Sequence, residues 1–517
     1  MNEDTPTPSE NEDPRAEIWK DDVLDRRGFA DFLTNALTEQ TRAVSERQQR
    51  GLTVALDAGW GTGKTFFVKH WADDLKARGH PVVYFDAWEN DLGEEAAIAL
   101  MAAIKETIDE WVARMPAKQE LAVRAGEMVR DSVKELRRAV LPVSKLIATA
   151  MLKKFTGIAA KELMDAVDGD DPLSIEPQEE LSSEKIEAGL DKIFESALGE
   201  QKKRSEAIKN FKTSMSKALE LIDQNTDATL PAFVFVDELD RCRPSYAINL
   251  LEEIKHIFGM PNICFIVSTN LEQLSHSICG VYGAGFNAGG YLKRFFDHEF
   301  TIPAPNNVSY AKLLFEQAPV LSNRKLAFGL PSHLKHPNKS TAEDTIALIF
   351  DAFDLDLRSQ KQVFMIADLA AASIEENKKI FVLWLFFLSM LIHKRKDIFL
   401  EIIKNPNNNM SLNAAFSPSI YKETTISFYT LNEFGRRGID TSVDLQAVIN
   451  QYFTWSNQDL EKILEASHLS PYPQNNYQDF YDERPNSMYV NQKYHPSIAS
   501  YINLVKYAGY VREEKIA

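Results

Sequence analysis

Residues 53–69 read TVALDAGWGTGKTFFVK, and this stretch decides the fold of the chain. The apolar run Val54–Leu56 breaks into the glycine-rich turn Gly59–Gly63, and Lys64 then begins a segment with helical character. The order predicts a buried strand, a tight turn and a helix. Backbone N–H groups of such a turn, with the N-terminus of the following helix, bind phosphate oxygens. The stretch therefore predicts a polyphosphate-binding loop.

The residues of this loop have separate expected roles. Lys64 should reach the β- and γ-phosphates, and the Thr65 hydroxyl should ligate Mg²⁺. The usual pattern is G-x-x-x-x-G-K-[ST]; Ala58 stands at its first glycine, and the three glycines that follow should still close the turn. A chance GKT tripeptide is the alternative, which the strand–turn–helix order disfavours. The residues predicted to bind the nucleotide are Gly59, Trp60, Gly61, Thr62, Gly63, Lys64, Thr65 and Phe66.

Composition restricts the class of protein. The 517 residues suffice for two to four domains, and a net charge of −17 argues against a surface that coats nucleic acid broadly. A local basic groove for nucleic acid stays open. The three cysteines have no C-x-x-C spacing, which indicates reduced thiols and a cytoplasmic protein. Residues 1–18 are acidic, lack the features of a signal peptide, and are predicted to be a disordered tail.

Two apolar segments raise the question of a membrane. The run 380–392 (IFVLWLFFLSMLI) has 13 residues, fewer than the ~20 that span a bilayer, so we predict that it lies in a buried helix, 379–404, and forms no transmembrane span. Apolar residues of 141–151 recur near helical spacing, with lysines on other faces. This pattern leaves open a membrane-surface or partner-binding helix. Packing within a helical region is the preferred interpretation.

The organisation of the chain predicts an α/β fold with a five-stranded parallel sheet. Candidate strands separated by long helical segments indicate helices on both faces of the sheet. We expect the strand order 5-1-4-3-2, with the fourth strand between the two motif-bearing strands. The candidate strands are Thr53–Asp57, Val82–Ala87, Phe233–Val236, Ile263–Ser268 and Glu299–Ile302. The expected domains are a core of residues 19–90 and 225–305, a helical insertion of 91–224 and a mostly helical C-terminal domain of 306–517.

A second motif, FVFVDELDRCRP at 233–244, follows the third strand. Ligands in open α/β sheets lie at the carboxyl ends of the strands. We expect Asp237 to hold Mg²⁺ beside Thr65, and Glu238 to polarise the attacking water. An acidic pair that merely caps the strand is the alternative.

Polar residues elsewhere could complete the site. Asn270 follows the fourth strand and should hydrogen-bond the attacking water or the γ-phosphate, unless it is an ordinary strand cap. A cation is also needed to stabilise the transition state. The sequence does not choose among the candidates, although Lys293 and Arg294 suit a residue supplied to a neighbouring copy in a homo-oligomer. The candidate cations are Arg241, Arg243, Lys293, Arg294, Arg436 and Arg437.

With these motifs in order, the chain resembles the KAP family of P-loop NTPases over about residues 19–305. The resemblance includes DDVLDRRGFADFLTNAL, GWGTGKT, YFDAWEND, VDELDRCRP with NLLEEIKHIF, and GGYLKRFFDHEFTIP. Ala58 and Glu238 depart from the residues usual in the family, glycine and often aspartate. The resemblance implies binding of ATP and Mg²⁺ and an insertion between the two nucleotide motifs. In many members that insertion carries transmembrane helices, which are not expected here.

Two classes of function stay open at this stage. The first is an ATPase that switches a partner complex; the resemblance implies a membrane link in animals and in some bacteria a role in phage exclusion, so anti-phage defence in a multi-protein system is the preferred biology. The second is a nucleotide-dependent sensor or scaffold with slow turnover. A nuclease or other effector in the C-terminal domain is disfavoured, because the sequence has no metal-ligand cluster there.

Overall fold

The computed structural model describes most of the chain, which divides into two compact units. The main boundary in the sequence falls between Ile302 and Pro303. The first unit contains 26–59 and 64–302 with residues up to Asp21; the short segments Asp22–Asp25 and Trp60–Gly63 cluster with the second unit, 303–517. The described residues are 14–91, 96–115, 126–135, 205–256, 259–327, 334–335, 342–376, 378–405, 409–431, 437–456 and 497–509.

The first unit is built on a five-stranded sheet of order β2-β3-β4-β1-β5. Read from the other edge, this is the predicted order 5-1-4-3-2, and every pair is parallel as expected. Because the strands are parallel, the two sequence motifs lie at the same end of the sheet. β4 lies between β1 and β3, so one motif is on each side of β4. The strands are β1 (Leu52–Asp57), β2 (Val82–Asp86), β3 (Ala232–Asp237), β4 (Ile263–Thr269) and β5 (His298–Thr301).

Helices cover both faces of this sheet, which explains why β3 and β4 are apolar and buried along their whole length. One face packs against Phe67, Trp71 and Leu75 of α3, and the other against residues of α4 and α5. The helices are α1 (Pro14–Ile18), α2 (Arg27–Gln48), α3 (Lys64–Ala77), α4 (Ala96–Ala113), α5 (Pro244–His256), α6 (Leu271–Tyr282) and α7 (Ala288–Leu292).

The predicted helical insertion is described only in part. Besides α4, residues 126–135 and 205–225 are helical, and Phe211, Met215 and Ile222 pack into the same apolar cluster as β3. The rest of the predicted insertion, including the segment 141–151, lies outside the described residues. The described part of the insertion thus extends one face of the core.

The start of the chain differs from the predicted tail of residues 1–18. Residues 1–13 lie outside the described residues, but Pro14–Ile18 form α1. Arg15 of α1 binds the buried carboxylate of Asp74 with Nε 2.6 Å from Oδ1, and Trp19 Nε1 donates to the same oxygen at 3.2 Å. Arg78 Nε donates to the other oxygen of Asp74 at 2.8 Å. The prediction from charge composition therefore placed the end of the disordered tail too late in the sequence, because Arg15 binds specific acidic residues of the folded unit.

The second unit is mostly helical, with three departures from the sequence pattern. A hairpin of β9 and β10 occupies a region that was not predicted as strand, and β7 pairs with β9. The predicted helix 379–404 breaks at Arg395, whose φ of −138° is not helical. Its elements are α8 (Asn307–Gln317), β6 (Leu326–Ala327), β7 (Leu334–Lys335), α9 (Ala342–Ala352), α10 (Leu357–Ala372), β8 (Ile380–Phe381), α11 (Val382–Lys394), α12 (Lys396–Lys404), α13 (Asn409–Asn413), β9 (Thr425–Leu431), β10 (Arg437–Asp444), α14 (Leu445–Ser456) and α15 (Ser497–Ala508).

The apolar run at 380–392 forms β8 and most of α11 at the centre of the second unit. Its side chains from Ile380 to Leu391 are buried on every face. This confirms the prediction of a core helix. Among the described residues, no helix has the length and apolar character needed to cross a membrane.

Candidate functional site

The loop after β1 has the backbone that its glycines predict. Gly61 and Gly63 adopt φ values of 75° and 81°, a region that disfavours residues with a Cβ. Ala58 is not among the residues with positive φ, and its N–H donates to Thr269 O at 3.2 Å as an extension of the β1–β4 pairing. Alanine is therefore compatible with this position, and α3 begins at Lys64 as expected.

Lys64 is buried at the edge of the sheet. Its Nζ lies 3.4 Å from Asp240 Oδ1 and 3.4 Å from the carbonyl oxygen of Ala58. Asp240 belongs to the 3-10 turn Leu239–Arg241 after β3, and Thr269 Oγ1 at the end of β4 also contacts its Oδ1 at 3.4 Å. The ammonium thus has a buried counter-charge from the second motif, which reduces the cost of its desolvation.

Asp237 ends β3 with a fully buried side chain. Its Oδ1 accepts the N–H of Glu238 at 2.9 Å, and its Oδ2 accepts the hydroxyl of Tyr84 at 3.1 Å. Both contacts fix the orientation of the carboxylate. Burial and the neighbouring Asp237 carboxylate raise the pKa of Tyr84, so that residue stays a hydrogen-bond donor.

Glu238 joins the two motifs. It adopts φ 60°, the left-handed region that a non-glycine residue rarely occupies, and this backbone turns its side chain toward α3. Thr65 Oγ1 donates to Glu238 Oε1 at 2.9 Å. Burial raises the pKa of Glu238 above its usual value, while the bond from Thr65 acts in the opposite direction. A carboxylate with a raised pKa is a stronger base than a solvated one.

Asn270 and Phe66 make other contacts in this structure. Asn270 Oδ1 accepts the N–H of Gln273 at 3.1 Å, so Asn270 caps the N-terminus of α6, whereas the alternative considered above was a strand cap. The ring of Phe66 stacks on His70 with centroids 3.8 Å apart, and the Arg26 guanidinium lies 5.3 Å from its centroid. The roles predicted for both residues stay predictions.

The candidate cations are dispersed. Arg241 Nε lies 2.6 Å from Glu238 Oε2, whereas Arg243 binds Asp91 with its backbone N–H at 2.8 Å and its Nε at 2.9 Å. Lys293 and Arg294 are exposed after α7. Arg437 starts β10, and Arg436 lies outside the described residues. Arg241 is therefore the candidate that the fold places beside the acidic motif.

Three contacts of the site were not anticipated from the sequence. They are the pairing of Asp240 with Lys64, the bond from Tyr84 to Asp237, and the ion pair of Arg241 with Glu238. The contact of Tyr84 could have been predicted from the expected strand order, because β2, which contains Tyr84, is the neighbour of β3. The ion pair of Arg241 could have been predicted from its position three residues after Glu238.

The donor set fits a magnesium ion. A hydroxyl (Thr65) and a carboxylate (Asp237) are the hard oxygen ligands that Mg²⁺ prefers, and Mg²⁺ sites commonly use one or two carboxylates together with substrate phosphates. No group of three or more His, Cys, Asp or Glu with metal-site geometry occurs within the described part of the chain. A site that relied on phosphate oxygens for most of its ligands would agree with both observations.

A parallel sheet with a glycine-rich loop after β1 and an Asp-Glu pair after β3 defines a nucleotide-binding P-loop NTPase fold. The sequence matches the KAP family P-loop domain over residues 26–372, more than half of the chain, and the protein belongs to this family. The predicted family membership is thereby confirmed.

Other comparisons add little. A search of curated proteins finds no relative of this chain. A solved structure described as the Aeropyrum pernix ORC2 protein in ADPNP-ADP complexes is 13% identical, with 76% of this chain and 80% of that chain covered and a TM-score of 0.28. A similarity of this size carries no argument about function.

Proposed function

We propose that the protein is an ATPase that hydrolyses ATP with Mg²⁺ and uses the reaction to change the conformation of a partner complex. The observation that carries this proposal is the direct contact between the two motifs, in which the Thr65 hydroxyl donates to Glu238 Oε1 at 2.9 Å. The contact joins Thr65, the metal ligand of the first motif, to Glu238, the general base of the second motif. Family membership supports nucleotide binding.

The residues of the first motif would bind the triphosphate. Backbone N–H groups of Gly59–Thr65 would surround the phosphates, and Lys64 would exchange its contact with Asp240 for the β- and γ-phosphate oxygens. Thr65 and Asp237 would hold Mg²⁺, the latter through water. When bound, the ion would neutralise charge that develops on the phosphate oxygens.

Glu238 would act as the general base. Its raised pKa favours acceptance of a proton from the attacking water, provided that the carboxylate is ionised at the working pH. Asn270 would orient that water or the γ-phosphate after giving up its cap contact with Gln273. Arg294, exposed after α7, would reach the active site of a second copy and stabilise the transition state in a homo-oligomer.

The primary test is nucleotide binding and turnover by purified protein. Lys64→Ala should weaken ATP–Mg²⁺ binding and abolish phosphate release, because it removes the cation that contacts the phosphates. Lys76→Ala is the matched control, since Lys76 lies exposed at the other end of α3 and pairs with Asp73. Unchanged affinity and turnover in Lys64→Ala would refute the assignment. Tight binding without turnover in the wild type would favour the sensor or scaffold.

The proposed biology is anti-phage defence as one subunit of a multi-protein system. It is supported by the family resemblance and by helical regions that offer surfaces for partners. Loss of the γ-phosphate contacts can order or release such regions. Phage plating on cells with the complete operon should show protection by the wild type and none by Lys64→Ala. Equal plating for both across a broad phage panel would contradict the defence role.

The oligomer is tested separately. Specific activity should fall on dilution if Arg294 acts on a neighbouring copy, and sedimentation with ATP should detect the assembly. Arg294→Ala should lower turnover without loss of nucleotide binding. Activity that is independent of concentration in a monomeric protein would exclude a residue supplied by a second copy.

A further inference from the structure

The carboxylate of Glu238 is contacted from two sides. Thr65 Oγ1 donates to Oε1, and Arg241 Nε lies 2.6 Å from Oε2. The second contact is an ion pair without hydrogen-bond geometry: Oε2 is buried and accepts no hydrogen bond from the described residues. With 9% of the Glu238 side chain exposed, these two neighbours rather than water set the direction of the carboxylate.

Arg241 is itself held by an aromatic residue. The carbon of its guanidinium lies 5.6 Å from the ring centroid of Trp88, within the range of a cation–π contact. Trp88 belongs to the turn that follows β2, where its N–H and that of Glu89 donate to Asp86 Oδ1 at 3.0 and 3.1 Å. The indole is 52% exposed. The face of the Trp88 ring therefore supports Arg241, while about half of the side chain stays exposed.

The same turn is joined to the second motif by another contact. Asp91, buried at the end of the turn, binds the backbone and side chain of Arg243. The turn after β2 is thus connected at two points to the segment 239–243 after β3, through Trp88–Arg241 and Asp91–Arg243.

We propose that Arg241 is a positioning residue for Glu238, and that Trp88 fixes the direction of Arg241. This inference rests on the proposed function, in which Glu238 activates water. The guanidinium would keep the carboxylate directed at the site if the Thr65 hydroxyl were engaged by Mg²⁺. Loss of Arg241 frees the carboxylate to rotate, so the chemical step slows while binding of the triphosphate by Lys64 and the loop persists.

The test compares steady-state kinetics and nucleotide affinity of a set of variants. Arg241→Ala should lower kcat by about 10- to 100-fold with little change in KM, because a misplaced catalytic group costs rate rather than binding. Arg241→Lys should recover part of kcat by keeping the charge. Trp88→Ala should lower kcat by a smaller factor, and Trp88→Phe should restore it. Arg114→Ala is the control, since Arg114 lies 4.4 Å from the ring centroid of Trp111, away from the acidic motif.

A double variant decides whether Arg241 acts through Glu238. In a Glu238→Gln background, Arg241→Ala should cause no further loss, because the group it positions is already gone. A multiplicative loss, or an unchanged kcat in Arg241→Ala, would overturn the inference while wild-type turnover left the proposed function intact. Absence of turnover in the wild type would instead overturn both. Nucleotide affinity confirms in every variant that the protein is folded.

Discussion

The two compact units bury different kinds of side chain. In the described residues of the first unit, charged groups lie inside at the strand ends and around α3, whereas in those of the second unit the buried side chains are almost all apolar. The buried charged residues of the first unit are Arg26, Lys64, Asp74, Asp91, Asp237, Glu238 and Asp240. Among the described residues of the second unit, Asp368 is the buried charge.

This difference indicates what each unit needs from its interior. A buried charge costs free energy unless it is paired, so a group of them at one sheet edge indicates a chemical task. Asp368 has a local structural role, because its Oδ1 accepts the N–H groups of Val320 and Leu321 at 3.1 and 2.8 Å. Changes in the first unit should therefore affect activity most, and changes in the second unit stability.

The largest effect should come from Glu238→Gln. The amide keeps the size of the side chain but cannot accept a proton, so kcat should fall by about 10²- to 10⁴-fold while nucleotide binding persists. A time course of phosphate release measures kcat, and a nucleotide titration measures binding. Glu272→Gln, at an exposed position in the first turn of α6, is the control. Wild-type turnover in Glu238→Gln would transfer the role of base to Asp240.

Phe386→Ala should show the opposite division between activity and stability. Phe386 is fully buried in α11, with its ring centroid 4.8 Å from that of Phe364, and truncation of a core Phe costs about 3–5 kcal/mol. Chemical denaturation of the full chain measures the loss in the free energy of unfolding. Met365→Ala is the control on α10, where the side chain is 51% exposed. Comparable stabilities for the two variants would contradict this account of the core.

Asp368→Ala should have an intermediate effect on stability. Removal of the acceptor leaves the N–H groups of Val320 and Leu321 without their partner, at a cost of about 1–3 kcal/mol. Asp368→Asn retains an acceptor oxygen and should lose less. Unfolding curves of both variants provide the measurement. Equal losses for alanine and asparagine would show that the negative charge, rather than the acceptor, is what matters.

The smallest effect concerns His80 and pH. Burial lowers the pKa of His80, which lies two residues before β2 with Nδ1 3.1 Å from Pro231 O. Below roughly pH 6.5 the unfolded chain then binds more protons than the folded protein, so stability is lost as the pH falls toward the lowered pKa. His80→Gln should flatten this decline in Tm between about pH 5 and pH 7.5. An identical slope in both proteins would exclude His80 as its source.

The parts that the sequence predicted are those encoded by short local patterns. The loop after β1, the acidic motif after β3 and the parallel sheet each follow from contiguous residues with a specific spacing. The pairing of Lys64 with Asp240 joins residues far apart in the chain, and its geometry exists only once β4 lies between β1 and β3. The position of the two motifs at that end of the sheet was therefore predictable, while the contacts between their side chains were not.

The errors also have physical causes. The hairpin of β9 and β10 lacks a continuous apolar pattern, because its strands pair with each other and with β7 outside the main sheet. One helix was predicted where the structure has β8, α11 and α12. Since α11 is buried on every face, it lacks the periodicity that would mark where a helix begins or ends. Periodicity fails where a segment has no solvent-facing side.

The contact of α1 with Asp74 has a consequence for shortened forms of the protein. Arg15 and Trp19 both bind a carboxylate with no exposed surface, and Asp74 belongs to α3, whose first residue is Lys64. A truncation that removed the first 19 residues would leave Arg78 as the remaining described partner of that carboxylate and would loosen the C-terminal half of α3. Expression tags and cleavage sites are therefore best placed before Pro14.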